Sequence, residues 1–111
     1  MYKKYNKYKA IKTKIDNITF DSKKEARRYT ELKQLKKIGV IKELQCQPRI
    51  PLVVNGKQIG HYVGDFKYLD KLTNTYILED VKTEATKTPI YRLKKKILET
   101  YKPPIIITEV T

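Results

Sequence analysis

The sequence predicts an α/β (α+β) fold: a helix, three or more mostly antiparallel strands, a second helix and a last strand, making a mixed sheet flanked by helices. Three observations predict it. Apolar residues recur at helical spacing between Ser22 and Gly39. Residues 40–82 are rich in β-branched and aromatic residues and are punctuated by turn signals. From Thr88 onward, a helical pattern is stopped by Pro103 and Pro104 and followed by the apolar run IIITEV.

Each element has its own signal. KIDNITF reads as two short extended pieces around an Asp16-Asn17 turn. Ser22 is a good N-cap, Glu25 stands three residues on as in a capping box, and Ala26, Tyr29, Leu32 and Leu35 form the apolar stripe. Glu25 falls on that stripe, not on the solvated face. VIKELQCQPRIPLVV is extended and broken by Pro48 and Pro51, which suits a sheet edge. Asn55-Gly56 is a hairpin signal, and KQIGHYVGDFKYLD reads as one long strand after it. KLTN turns the chain, TYILEDVK pairs back, and residues 83–88 form a polar loop. Thr88 and Pro89 open the second helix as N-cap and first residue, with Ile90, Leu93, Ile97 and Leu98 as its expected buried face.

The chain has 111 residues, enough for one domain with a modest core. Residues 1–14 form a basic, Tyr-interleaved arm with six lysines and no acid, and residues 15–111 form the domain. The net charge is +13, so a polyanion is the expected partner, nucleic acid before an anionic membrane. No apolar run approaches the roughly 20 residues of a membrane span, and no broad amphipathic face suits a membrane surface. The basic N-terminus lacks the apolar stretch of a secretory signal. Cys46 is the one cysteine and His61 the one histidine. An internal disulfide and a Cys/His zinc site are thereby excluded, and a reducing, cytoplasmic setting is expected.

The chemistry gathers at YILEDVK. In a strand, Asp80 and Lys82 share one face while Glu79 and Val81 share the other. Asp65 on the preceding strand meets Asp80 if paired residue numbers sum to 145, which centres the turn in KLTN. Two converging carboxylates are costly unless a cation lies between them. Mg²⁺, for which Mn²⁺ can substitute, accepts carboxylate oxygens and water while leaving room for a phosphate oxygen. A lysine two residues on can orient a water or offset charge on a phosphate. Gln45, Gln47, His61 and Glu84 carry weaker signals and read as ordinary strand or loop residues.

Gly64-Asp65 followed by Asp80-Val81-Lys82 resembles the motif of the PD-(D/E)XK nuclease superfamily, with glycine in place of the motif's proline. FDSKKEARRY, GDFKY and EDVK together look like a family of small phage-encoded proteins assigned to it, over nearly the whole chain after residue 8. The resemblance implies a restriction-endonuclease-like core, with Asp65, Asp80 and the Val81 carbonyl as metal ligands and Lys82 as catalytic lysine. It implies that Glu25 completes the site, as in members that resolve Holliday junctions or cut transposon ends. Glu79 stands beside Asp80, and a one-residue shift would exchange them; Asp80 is preferred because it alone shares a face with Lys82.

The expected function is a metal-dependent endodeoxyribonuclease of phage or mobile-element type. Lys3, Lys4, Lys7 and Lys9 of the arm, Arg27 and Arg28 of the first helix, and Arg92, Lys94, Lys95 and Lys96 of the second would contact phosphates. No helix-turn-helix or zinc finger is visible, so selectivity for DNA structure, branched DNA or a Holliday junction, is expected. A homodimer is the assembly that a two-fold junction would match. No organic cofactor is implied. The alternatives are an inactive nuclease-fold DNA-binding protein and a phage-encoded inhibitor or adaptor.

Overall fold

A computed structural model describes residues 11–111. β1 (Thr13–Ile15) and β2 (Ile18–Phe20) form a hairpin whose turn residues, Asp16 and Asn17, take φ of 52° and 64°. These two residue types tolerate the left-handed pair that a tight hairpin requires. β1 begins at Thr13, two residues before the expected start of the domain at residue 15. α1 (Lys23–Lys37) starts where the Ser22 hydroxyl accepts the Glu25 N–H at 3.1 Å. The Glu25 carboxylate accepts the N–H of Asp21 at 3.3 Å, one residue earlier than in a capping box.

The chain continues through β3 (Ile41–Cys46), β4 (Arg49–Val54), β5 (Lys57–Val63), β6 (Phe66–Asp70) and β7 (Thr75–Val81). A short 3₁₀ turn at Glu84–Thr86, α2 (Pro89–Glu99) and β8 (Ile107–Val110) complete it. The main sheet has the order β3-β6-β7-β8, antiparallel except for the parallel β7–β8 pair reached through α2. β4 and β5 form a separate hairpin. The result is an α+β fold with a mixed sheet and two smaller antiparallel hairpins. β6 and β7 pair Phe66 with Glu79 and Asp70 with Thr75, the register that sums to 145.

Two expectations are corrected. KQIGHYVGDFKYLD is two strands, parted at Gly64-Asp65. Here the Gly64 N–H bonds the Pro48 carbonyl at 3.0 Å, and the backbone presses so close to β7 that a Cβ on Gly64 would lie 2.8 Å from Leu78 Cδ1. The chain changes sheets at that contact. On α2, Leu98 is buried as expected, but Ile90 and Leu93 are 63% and 58% exposed, and Tyr91 is buried in their place. Tyr91 brings the larger apolar surface and packs near Tyr62, ring centres 6.3 Å apart.

The sheet divides the core in two. On one side α1 and the first hairpin pack Phe20, Ala26, Tyr29 and Leu32 against Ile41, Phe66, Tyr68 and Val81. On the other, α2 and the β4–β5 hairpin pack Leu52, Tyr62, Tyr91 and Leu98 against Leu78 and Ile107. Among the described residues, no helix is long and apolar enough to cross a membrane.

One buried charge sits in the first layer. Glu79 is 1% exposed, and its carboxylate takes two Arg28 hydrogen bonds, at 2.8 and 2.7 Å, plus one from the Tyr68 hydroxyl. The pairing is bidentate and both carboxylate oxygens are satisfied. It holds Arg28 well above its ordinary pKa. Removing one partner strands the other, so we expect Arg28→Ala to cost about 3 kcal/mol in chemical denaturation, with part regained in Arg28→Met/Glu79→Gln. A loss under about 0.5 kcal/mol would show that α1 is held by apolar packing alone.

Candidate functional site

Strand alternation puts Glu79 on the α1 face and sends the next residue, Asp80, the other way. The β6–β7 register then brings Asp65 beside it. The Asp65 N–H donates to Asp80 Oδ1 at 2.9 Å and to the Glu79 carbonyl at 3.1 Å, and Asp65 Oδ2 accepts the Val81 N–H at 2.7 Å. Asp80 is 2% exposed, and its Oδ2 has no hydrogen-bond partner among the described residues. A buried carboxylate oxygen without a donor is an unsatisfied acceptor that a proton or a cation would relieve.

Glu25, Asp65, Asp80, Val81 and Lys82 line one open cleft of about 700 Å³. α1 supplies Glu25 from its first turn, and Asp65 comes from the break between β5 and β6. β7 and the residue after it supply the rest. Glu79 faces away and is fully engaged by Arg28 and Tyr68, so the exchange of Glu79 for Asp80 does not arise in this register. The Lys82 ammonium lies 4.2 Å from the centre of the Tyr91 ring, a cation–π seat. The Tyr91 hydroxyl donates to Glu109 at 2.6 Å, and Glu109 pairs with Asp80 across the parallel strands.

The carboxylates resist ionisation. Burial, with the Asp65 and Asp21 charges, pushes Glu25 up to about 7. Burial pushes Asp80 up to about 6 against the pull of Lys82 and of the Asp65 N–H. Burial also raises Asp65, opposed by the Val81 N–H and Lys82. Among the described residues no group of three acidic, histidine or cysteine side chains is placed to hold a metal ion. The pair Asp65 and Asp80 would still suit Mg²⁺, an ion usually held by one or two carboxylates while it keeps several waters.

The expected phosphate contacts scatter. Lys3, Lys4, Lys7 and Lys9 lie outside the described residues. Arg27 is exposed on α1. Arg28 is corrected: its guanidinium is committed to Glu79 and, at 3.3 Å, to Glu31. Arg92, Lys95 and Lys96 line a pocket behind Tyr91 with Lys87, where Lys95 meets Glu109 at 3.4 Å. Lys94 donates to the His61 carbonyl at 3.1 Å. Sequence reading missed Lys12, Lys23 and Lys24, which rim the cleft. The signal for two of them was present, since the Ser22 cap fixes Lys23 and Lys24 beside Glu25.

Residues 5–108 match the family described as "Protein of unknown function (DUF1064)". The chain belongs to that family. No curated protein and no solved structure matches it. Within this DUF1064 domain, the matched span takes in both helices, the main-sheet strands as far as Thr108 and every residue of the cleft from Glu25 to Lys82.

The raised carboxylates fix a pH dependence. Asp80 and Glu25 hold protons in the folded state that the unfolded chain releases, so their stabilising effect is present at low pH and lost as pH rises through about 6 and about 7. In EDTA we expect the melting temperature to fall from pH 5 to pH 8, with Asp80 responsible for on the order of 2 kcal/mol. Asp80→Asn keeps an acceptor for the Asp65 N–H and should flatten this decline. A wild-type melting temperature constant over that range would contradict the assignment.

Proposed function

We propose that this DUF1064 chain is a metal-dependent DNA endonuclease of the PD-(D/E)XK kind. The observation that carries the reading is a convergence. Four side chains expected from a motif spread between Glu25 and Lys82 line one cleft, and the most buried of them keeps an oxygen without a donor. Asp65 and Asp80, with the Val81 carbonyl, are the groups that would hold Mg²⁺ or Mn²⁺, and Glu25 stands in the same cleft beside them. Such an ion supplies Lewis acidity toward a phosphate oxygen and lowers the pKa of bound water.

The chain's own groups have separable tasks. Lys82, seated on Tyr91, holds a positive charge beside the carboxylates, where it can orient a water or offset charge on the phosphate. Glu25, with its carboxyl raised to about 7, can take or release a proton near neutral pH. Lys12, Lys23 and Lys24 on the rim, with Arg92, Lys95 and Lys96 further along, suit a DNA backbone. A net charge of +13 favours a polyanion throughout.

One observation favours a second reading. Asp65 and Asp80 each spend an oxygen on a backbone N–H, which is also how two strand-end carboxylates would merely pin β6 to β7. A DNA-binding protein without cleavage would need no more.

Labelled four-way junction, flap and linear duplex, incubated with Mg²⁺, Mn²⁺ or EDTA, separate the two. We expect metal-dependent cutting that favours branched substrates and falls about 10²-fold or more in Asp80→Ala and Lys82→Ala. Millimolar Mg²⁺ should also raise the melting temperature of the wild type at pH 8 but not that of Asp80→Asn. Salt-sensitive DNA binding without cutting under any metal would leave the second reading standing.

A further inference from the structure

A second groove opens from the cleft. It has a volume of about 270 Å³ and is lined by His61, Tyr62, Val63, Thr86, Ile90 and Lys94, with Lys82 and Tyr91. Val63, Lys82 and Thr86 belong to both spaces, so the groove continues the cleft past the lysine. Its walls include Val63 and Ile90, which are 50% and 63% exposed. Tyr62 is 4% exposed, and its hydroxyl is buried with no partner among the described residues. Lys94 also lines the groove, where its ammonium donates to the His61 carbonyl at 3.1 Å.

These features differ from a phosphate track, which needs cations and little apolar surface. They also differ from an ordinary core gap, which does not keep an unpaired hydroxyl. Exposed apolar residues, two tyrosines, one unsatisfied buried hydroxyl and two lysines lining one groove match a nucleotide whose base is out of the stack. The base would pack between Ile90 and Val63, with its polar edge toward Tyr62. Its flanking phosphates would meet Lys82 and Lys94.

We infer that this groove binds one unpaired nucleotide next to the phosphate held in the cleft, and thereby selects branched or bulged DNA over paired duplex. The inference rests on the DNA reading above and names its substrate class. An extruded base costs least where it is already unpaired, so the groove discriminates without reading sequence.

The test uses the full chain, Ca²⁺ in place of Mg²⁺, and two duplexes carrying 2-aminopurine, unpaired in a one-nucleotide bulge or paired with thymine. Wild type should bind the bulge about tenfold more tightly than the paired duplex, with a change in 2-aminopurine fluorescence on binding. Ile90→Ser should reduce that preference to about threefold or less. Tyr62→Phe is the sharper variant. Removing a hydroxyl that has no partner should leave the melting temperature unchanged or higher, while the bulge preference falls about fivefold.

Equal affinity of wild type for the two duplexes would overturn the inference. So would a Tyr62→Phe protein with its preference intact. Cleavage is scored separately in Mg²⁺. Cutting without bulge preference would sink the groove and leave the nuclease, and bulge preference without cutting would do the reverse.

Discussion

The site depends on where one buried ion pair sits. Glu79 and Asp80 are consecutive carboxylates on the central strand, and a strand must send them to opposite faces. Arg28 and Tyr68 satisfy Glu79 completely inside the α1 layer. That fixes the strand's face and α1's position with one contact. Asp80 is therefore delivered to the cleft, and the first turn of α1, three residues before Arg28, carries Glu25 to the same place. A slip of one residue would bury Asp80 against Arg28 and turn Glu79 toward Asp65, at the expense of every apolar contact of β7.

The second carboxylate layer is held differently. Asp65 and Asp80 face backbone N–H groups and one another's strand, with Lys82 as the nearby positive charge. Their protonation is raised by burial that no partner fully offsets. Glu79 is buried at least as deeply and is fully paired. Two neighbouring residues thus divide the work: one is neutralised inside the protein, the other is left in want of something from outside. This is the pattern expected where local stability is given up to a site.

Much of this was legible in the sequence. The β6–β7 register was legible because the pairing that brings Asp65 to Asp80 also centres the turn in KLTN, and the strands have that register. The Ser22 and Thr88 caps located both helices through local hydrogen bonds. What stayed hidden depends on contacts distant in sequence. Gly64 looked like a residue within a strand, since nothing local announces Leu78 pressing on it. Ile90 and Leu93 fitted a helical stripe with Leu98 as well as Tyr91 does, and only the partner across the sheet chooses between them. Arg28 looked like one more cation in a basic helix until its carboxylate was known.

The parallel β7–β8 pair has a consequence for how the molecule assembles. β7 can zip against β6 through a four-residue loop, which is fast. It can pair with β8 only after α2 has formed and crossed over, bringing Leu78 to Ile107 and Asp80 to Glu109. Closing so long a stretch of chain is slower, and until it closes one edge of β7 is bare. The crowded carboxylates help to protect that edge. Until β8 arrives, Asp80 remains hydrated and charged on an open strand, where charge opposes pairing with another chain. The same group that weakens the finished fold at neutral pH thus guards the unfinished one against aggregation. In kinetic refolding, Asp80→Asn should therefore aggregate more than wild type at pH 8, although its native state is the more stable of the two.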